Sequence, residues 1–159
     1  MALLSTAMRF VQTEITIDAP RSLVWQVLLD FPRYPLWNSF IHRIDGAARV
    51  GAEITEHIYF DFLPFRVLGK SFIQRIDAET FFSWQGSFVH ALRPLGHGTH
   101  SFALDDIGAG ATHVTHREEY RGPLVAPTFA LIRRVAEPGF RKMDRDLKAR
   151  AESLHGNPR

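Results

Sequence analysis

Between Ile15 and Ile44 the apolar period of the chain changes twice, and few folds accommodate such an opening. Alternation at Val11, Thr13, Ile15 and Ile17 predicts a strand over Arg9–Ile17. Asp18-Ala19-Pro20 then punctuates the chain. Asp18 is placed to accept hydrogen bonds from the free N–H groups of a following helical turn, and Pro20 suits a first helical position. Val24, Trp25, Leu28 and Leu29 share one face at helical spacing. Pro32 has no N–H and ends that helix, so a second small helix is expected at about Tyr34–Asn38, with sheet resuming at Phe40.

The middle of the chain reads as a meander of antiparallel strands. Expected strands are Phe40–Ile44, Ala52–Phe62, Phe65–Ile76, Thr80–Phe88, Thr99–Asp106 and Thr112–Arg121. Asp45-Gly46, Leu63-Pro64, Asp77-Ala78 and Gly108-Ala109-Gly110 supply turn residues between them. Helical spacing returns over Ala126–His155, with a break expected at Pro138-Gly139 and a cap at Gly156. No internal repeat divides the 159 residues, which implies one domain over 1–159 with a core of about 9–155.

Composition removes several function classes. Without cysteine the chain has no disulfide, thiolate metal site or cysteine nucleophile, in keeping with an expected cytoplasmic location. No run approaches the roughly 20 apolar residues a membrane span needs, and Met1–Met8 lacks the pattern of a signal peptide. Arg133, Arg134, Arg141, Lys142, Arg145, Lys148 and Arg150 alternate with acids, as on a solvated helix face, so no nucleic-acid partner is expected. There is no nucleophile elbow, phosphate loop or dinucleotide fingerprint, and no cofactor is expected.

Several motifs occur in a specific order: Ala19-Pro20 with Val24-Trp25, Asp30-Phe31, Tyr34, Trp37-Asn38, Phe82-Ser83-Trp84 and Gly98-Thr99-His100-Ser101-Phe102. His116 to Gly122 follows, and then a final helix carrying Gly139-Phe140, Met143 and Leu147-Lys148. Across about Arg9–Leu154 this order resembles the START/polyketide cyclase-like superfamily (SRPBCC proteins). The resemblance implies an α+β helix-grip fold: a curved antiparallel sheet of about seven strands, two short helices after strand one, and a long C-terminal helix across the concave face. One helix covers a curled sheet only along a line, which leaves a chamber between them. Family members include lipid-transfer and coenzyme-Q-binding proteins, polyketide aromatase/cyclases and co-chaperones. The expected partner is therefore a small hydrophobic molecule, with the aromatase/cyclase activity as the enzymatic alternative and an interaction module as a third reading.

Parity gives the sharpest local expectation. A turn at Gly108–Gly110 sets Asp106 opposite Thr112, Phe102 opposite His116 and His100 opposite Glu118. His100, Phe102, Leu104, Val114, His116, Glu118 and Tyr120 then share the inner face. A buried charge needs a partner, so His100 and Glu118 are expected to satisfy each other. His100, His116, Glu118 and Tyr120 are the candidate acid/base groups of an enzyme. They could equally anchor a ligand's head group or only fix strand register. His97, His100, His116 and Glu118 match no metal motif, and no metal is expected.

The expected apolar wall of a ligand chamber comprises Trp25, Trp37, Ile58, Phe60, Phe62, Trp84, Phe88, Phe102, Phe129, Phe140 and Met143. Arg133 is expected to face solvent. The apolar tip Phe60-Asp61-Phe62-Leu63-Pro64-Phe65 either folds against the terminal helix or forms a lip able to touch a membrane transiently.

Overall fold

A computed structural model describes residues 8–87 and 96–156. The strands β1 (Arg9–Ile17), β2 (Ile41–Asp45), β3 (Glu53–Ile58), β4 (Val67–Asp77), β5 (Phe81–Ser87), β6 (His97–Gly108) and β7 (Ala111–Arg121) form one antiparallel sheet. Their order is β1-β7-β6-β5-β4-β3-β2, so the meander is closed at one end by the first strand, which pairs with the last. The sheet curls as a half-barrel around α2 (Val125–Gly156), as the helix-grip reading requires.

Between β1 and β2 lie α1 (Arg21–Leu29) and a 3₁₀ helix, Phe31–Leu36. The second helix starts earlier than expected, because Pro32 is tolerated in a first turn, where its missing N–H is not needed. Asp18 does not cap α1. Pro20 occupies the cap position with no side-chain bond, and the Asp18 N–H instead donates to Glu152 Oε1 at 2.8 Å. Buried Tyr34 donates to the Leu28 carbonyl at 2.8 Å and joins the two helices. Asn38 Oδ1 accepts from the N–H groups of Phe40 (3.0 Å) and Ile41 (2.9 Å), turning the chain into β2.

The expected β3 runs too far. It ends at Ile58, and after one more bond, Tyr59 N–H to the Phe40 carbonyl at 2.8 Å, the chain turns. Pro64 cannot donate to a ladder, so the segment through Phe65 leaves the sheet.

Nor does α2 break at Pro138-Gly139. Pro138 lies on the exposed side and removes one backbone donor without stopping the helix. Gly139 faces Phe40, where a β-carbon would overlap the ring. Glycine here allows close helix–sheet packing. Phe140, Met143, Asp144, Leu147 and Ala151 form the buried stripe of the C-terminal half. Among the described residues no helix is long and apolar enough to cross a membrane.

Candidate functional site

Three rows of inward-facing residues cross the sheet, and their sizes determine where space remains. Phe82, Phe102 and His116 are aligned in one row, and Trp84, His100 and Glu118 in the next. The third row is Ser71, Gly86, Gly98 and Tyr120. The first two rows are filled by rings; the centre of the third has no side chains. Above that bare strip the N-terminal half of α2 spans a gap, and a cavity of about 430 Å³ opens there. Its walls include Phe40, Ile58, Phe60, Trp84, Ile132 and Phe140.

Its polar groups are few, and two of them are carboxyls. Glu56 from β3, Ser71 from β4, His97 and His100 from β6, and Glu118 and Tyr120 from β7 reach the wall. Ser71 Oγ donates to Glu56 Oε1 at 2.9 Å, while Glu56 Oε2 is buried with no hydrogen-bond partner and lies beside Gly69. Tyr120 donates to Glu118 Oε2 at 2.8 Å, and Glu118 Oε1 occupies the place a β-carbon on Gly98 would take. Burial pushes the Glu56 carboxyl up to about 7, against hydrogen bonding from Ser71, from its own backbone N–H and, least, from the Trp84 indole. Burial likewise pushes Glu118 up to about 7, against the Tyr120 hydrogen bond and with the nearby charge of Glu56 adding to the rise. The Tyr120 phenol is pushed up by burial, then by Glu118.

Behind this wall runs a second polar chain. His100 Nε2 lies 2.6 Å from His116 Nε2, and His116 Nδ1 lies 2.7 Å from Asp144 Oδ1 on α2. Burial holds His100 well below the usual imidazole range, with His116 contributing. His116 thus bridges Asp144 through Nδ1 and His100 through Nε2. His100 Nδ1 lies 3.8 Å from Glu118 Oε2. The chain Asp144–His116–His100 leads from α2 to the cavity wall, and Phe102 and Phe140 stack on His116 at 4.4 and 4.3 Å.

The hairpin register is the expected one, with Asp106 opposite Thr112, Phe102 opposite His116 and His100 opposite Glu118. The pairing of side chains differs. At 3.8 Å His100 and Glu118 do not hydrogen-bond; each has a better partner, His116 and Tyr120. The physical reason is the stacking of His100 on Trp84 at 4.5 Å, which aims its Nε2 along the sheet.

Of the expected chamber residues, Ile58, Phe60, Trp84, His100, Glu118, Tyr120 and Phe140 line the cavity. Phe102, His116 and Met143 are buried in the packed core and do not line it. Trp25 packs against Phe82 (6.5 Å between ring centres), Trp37 against Tyr34 (4.8 Å) and Phe129 against Tyr120 (6.4 Å), all off the cavity wall. Phe62 is 63% exposed, and Phe88 lies outside the described residues. Arg133 is exposed and pairs with Glu137 at 3.0 Å. The tip around Phe62 is tied to α2 by Lys142 and Asp61 at 2.7 Å, yet Phe62 and Phe65 stay out in solvent.

Glu56, Ser71 and Asp144 were not expected. Glu56 shares parity with the inward Ile54 and Ile58, and Asp144 lies one turn from Phe140 and three residues before Leu147, so spacing carried both signals. Among the described residues no group of three His, Asp or Glu side chains could hold a metal ion.

The family model for polyketide cyclase/dehydrase and lipid transport proteins matches residues 8–152. The chain belongs to that family. Among solved structures it is similar to the Zhui aromatase/cyclase from Streptomyces sp. R1128, at 16% identity and a TM-score of 0.74, covering 93% of this chain and 96% of that one. It is also similar to norcoclaurine synthase from Thalictrum flavum in complex with dopamine and hydroxybenzaldehyde (14%, TM-score 0.71, 94% and 90% covered). A START superfamily protein from Mycobacterium smegmatis has the same fold (13%, TM-score 0.71, 91% and 98% covered). At these identities the likeness is one of fold. No curated protein sequence matches the chain.

Proposed function

We propose that the chain binds a small, largely apolar molecule with one polar end in the cavity between sheet and α2. It acts as a carrier or sequestering protein for a lipid-, quinone- or polyketide-like ligand. The single observation carrying this reading is the cavity of about 430 Å³ above the glycine strip, apolar over most of its wall. That volume suits a small-molecule site, typically about 300–1,000 Å³. At about 25 cal/mol per Å² of buried apolar surface, a mid-sized ligand needs only one or two polar contacts to bind well. Family membership supports the same reading.

Native mass spectrometry of the purified protein, with extraction of whatever copurifies, tests it, together with titration of the neutral dye Nile red. Ala136, on the cavity wall from α2, is the position to fill. Ala136→Phe is expected to keep the fold, by circular dichroism, and to weaken Nile red binding at least about tenfold. Binding of the dye to parent and filled variant alike would refute a cavity ligand.

A second reading, a polyketide aromatase/cyclase, is favoured by the Asp144–His116–His100 chain beside Glu118 and Tyr120. An imidazole on the cavity wall and carboxyls pushed up to about 7 suit proton transfer on a bound carbonyl compound. Dehydrative cyclisation of added poly-β-ketone analogues, lost in His100→Phe, is the outcome this reading requires.

A further inference from the structure

The charge pattern of the cavity goes beyond the apolar-ligand reading and rests on it. Among the described residues no Lys or Arg lines the cavity, while Glu56 and Glu118 do. Glu56 is only 4% exposed, and its Oε2 has no hydrogen-bond partner. A buried carboxyl oxygen without a donor is costly, and proteins rarely leave one unmet. Ser71 is committed to Oε1, Tyr120 donates to Glu118 and His100 Nε2 is held by His116, and the Trp84 indole and the backbone N–H of Glu56 offset its burial only in part. The titratable groups around the chamber are His97 and His100 from β6 and Glu118 and Tyr120 from β7; the residues that β2 and α2 contribute to its wall carry no charge.

Three kinds of polar ligand end can be compared. A carboxylate would meet two carboxyls and no Lys or Arg, and like-charge repulsion disfavours it wherever either acid is ionised. A ketone oxygen would accept from Glu56 only while that group keeps its proton. A primary ammonium offers three donors and a positive charge to both acids together, while the apolar wall around Phe40, Ile58 and Phe60 takes its stem. We propose that the polar end of the ligand is a protonated amine, anchored on the Glu56 carboxyl with Glu118 as the second acceptor. The ligand class is then an amine-bearing amphiphile or arylalkylamine.

The proposal has a proton signature. The acids titrate near 7 in the empty cavity, so an ammonium entering near that pH displaces protons from them. Affinity for an amine then rises as pH rises through 7, and affinity for a ketone falls. A ten-carbon series of decylamine, decanol, decan-2-one and decanoic acid separates these cases by calorimetry and Nile red displacement at pH 6 and 8. An alkylammonium stays charged at both values.

The expected result is decylamine binding about tenfold or more tighter than decanol at pH 8, weakening at pH 6, with buffer-dependent heat that reports proton release. In Glu56→Gln, which keeps an acceptor for Ser71, the amine-to-alcohol ratio falls towards one; circular dichroism and melting establish that the variant is folded. Tightest binding by the ketone or the acid, or a ratio unchanged in Glu56→Gln, would overturn the amine assignment while leaving the cavity reading intact. If no member of the series displaces Nile red and the dye itself does not bind, both fail.

Discussion

Asp144 Oδ1 lies 2.7 Å from His116 Nδ1, and this contact fastens α2 to the middle of β7 behind the cavity wall. Both residues are almost wholly removed from water, Asp144 at 3% exposure and His116 at 0%. Loss of the carboxylate would strand a buried N–H and leave a hole under Phe140.

Asp144→Ala is therefore expected to cost roughly 1.5–3 kcal/mol of stability, the range for a hydrogen bond to a charged group. Asp144→Asn retains an acceptor for His116 Nδ1 and should cost less than half as much. Urea denaturation followed by tryptophan fluorescence measures both. Equal losses in the two variants would mean that the contact contributes only volume.

A second close approach makes an opposite-signed test of helix propensity. Gly139 lies mid-helix, where alanine is ordinarily better by about 1 kcal/mol. Here the added methyl would overlap the Phe40 ring. Gly139→Ala should destabilise by about 1–3 kcal/mol, as overpacking does. In a Phe40→Ala background the methyl has room, so the same change should become neutral or stabilising, and a double-mutant cycle would report the coupling.

How much of this was legible in the chain depends on which kind of information each feature uses. Parity is local, so β1 and the β6–β7 register, including His100 opposite Glu118, could be read from alternation and one glycine turn. Side-chain partners are not local. His100 turned to His116 because it stacks on Trp84, and His116 found Asp144 across the helix interface, which no single-strand pattern encodes. The rule that big apolar residues mark a chamber puts the cavity on the right side of the sheet but makes its wall too wide. Phe102, Met143 and Trp25 fill space, and the opening lies over Gly86 and Gly98, which carry no side chains of their own. Pro138 misled for a related reason: its cost to the helix is modest when its ring faces water and the flanking turns are held by Phe140 and Met143.

The exposed tip provides a control on the surface. Phe62 is 63% exposed, with its ring 5.5 Å from that of Phe60. Phe62→Asp should change unfolding stability by no more than about 0.5 kcal/mol. Flotation with liposomes then isolates any membrane contact from a folding effect: a loss seen only in the variant assigns it to this tip, and equal flotation ends that reading.

The two cavity acids make stability depend on pH in the direction opposite to ordinary surface carboxylates. Each passes from 4.5 when unfolded to about 7 in the fold, chiefly through burial. Between those values the folded protein binds more protons than the unfolded chain, so stability falls as pH rises. The contribution is fully present below 4.5 and fully lost above about 7. At about 1.4 kcal/mol per pH unit, each group accounts for roughly 3 kcal/mol. Glu118→Gln retains an acceptor for Tyr120 and removes the charge. Its urea midpoint should therefore exceed that of the parent at pH 8 and approach it at pH 5, giving a flatter profile. Because Glu56 raises Glu118 through its charge, the double change Glu56→Gln/Glu118→Gln should gain less than the sum of the single changes. A Glu118→Gln profile parallel to the parent from pH 5 to 8 would mean that Glu118 titrates as an ordinary carboxyl, in contact with water.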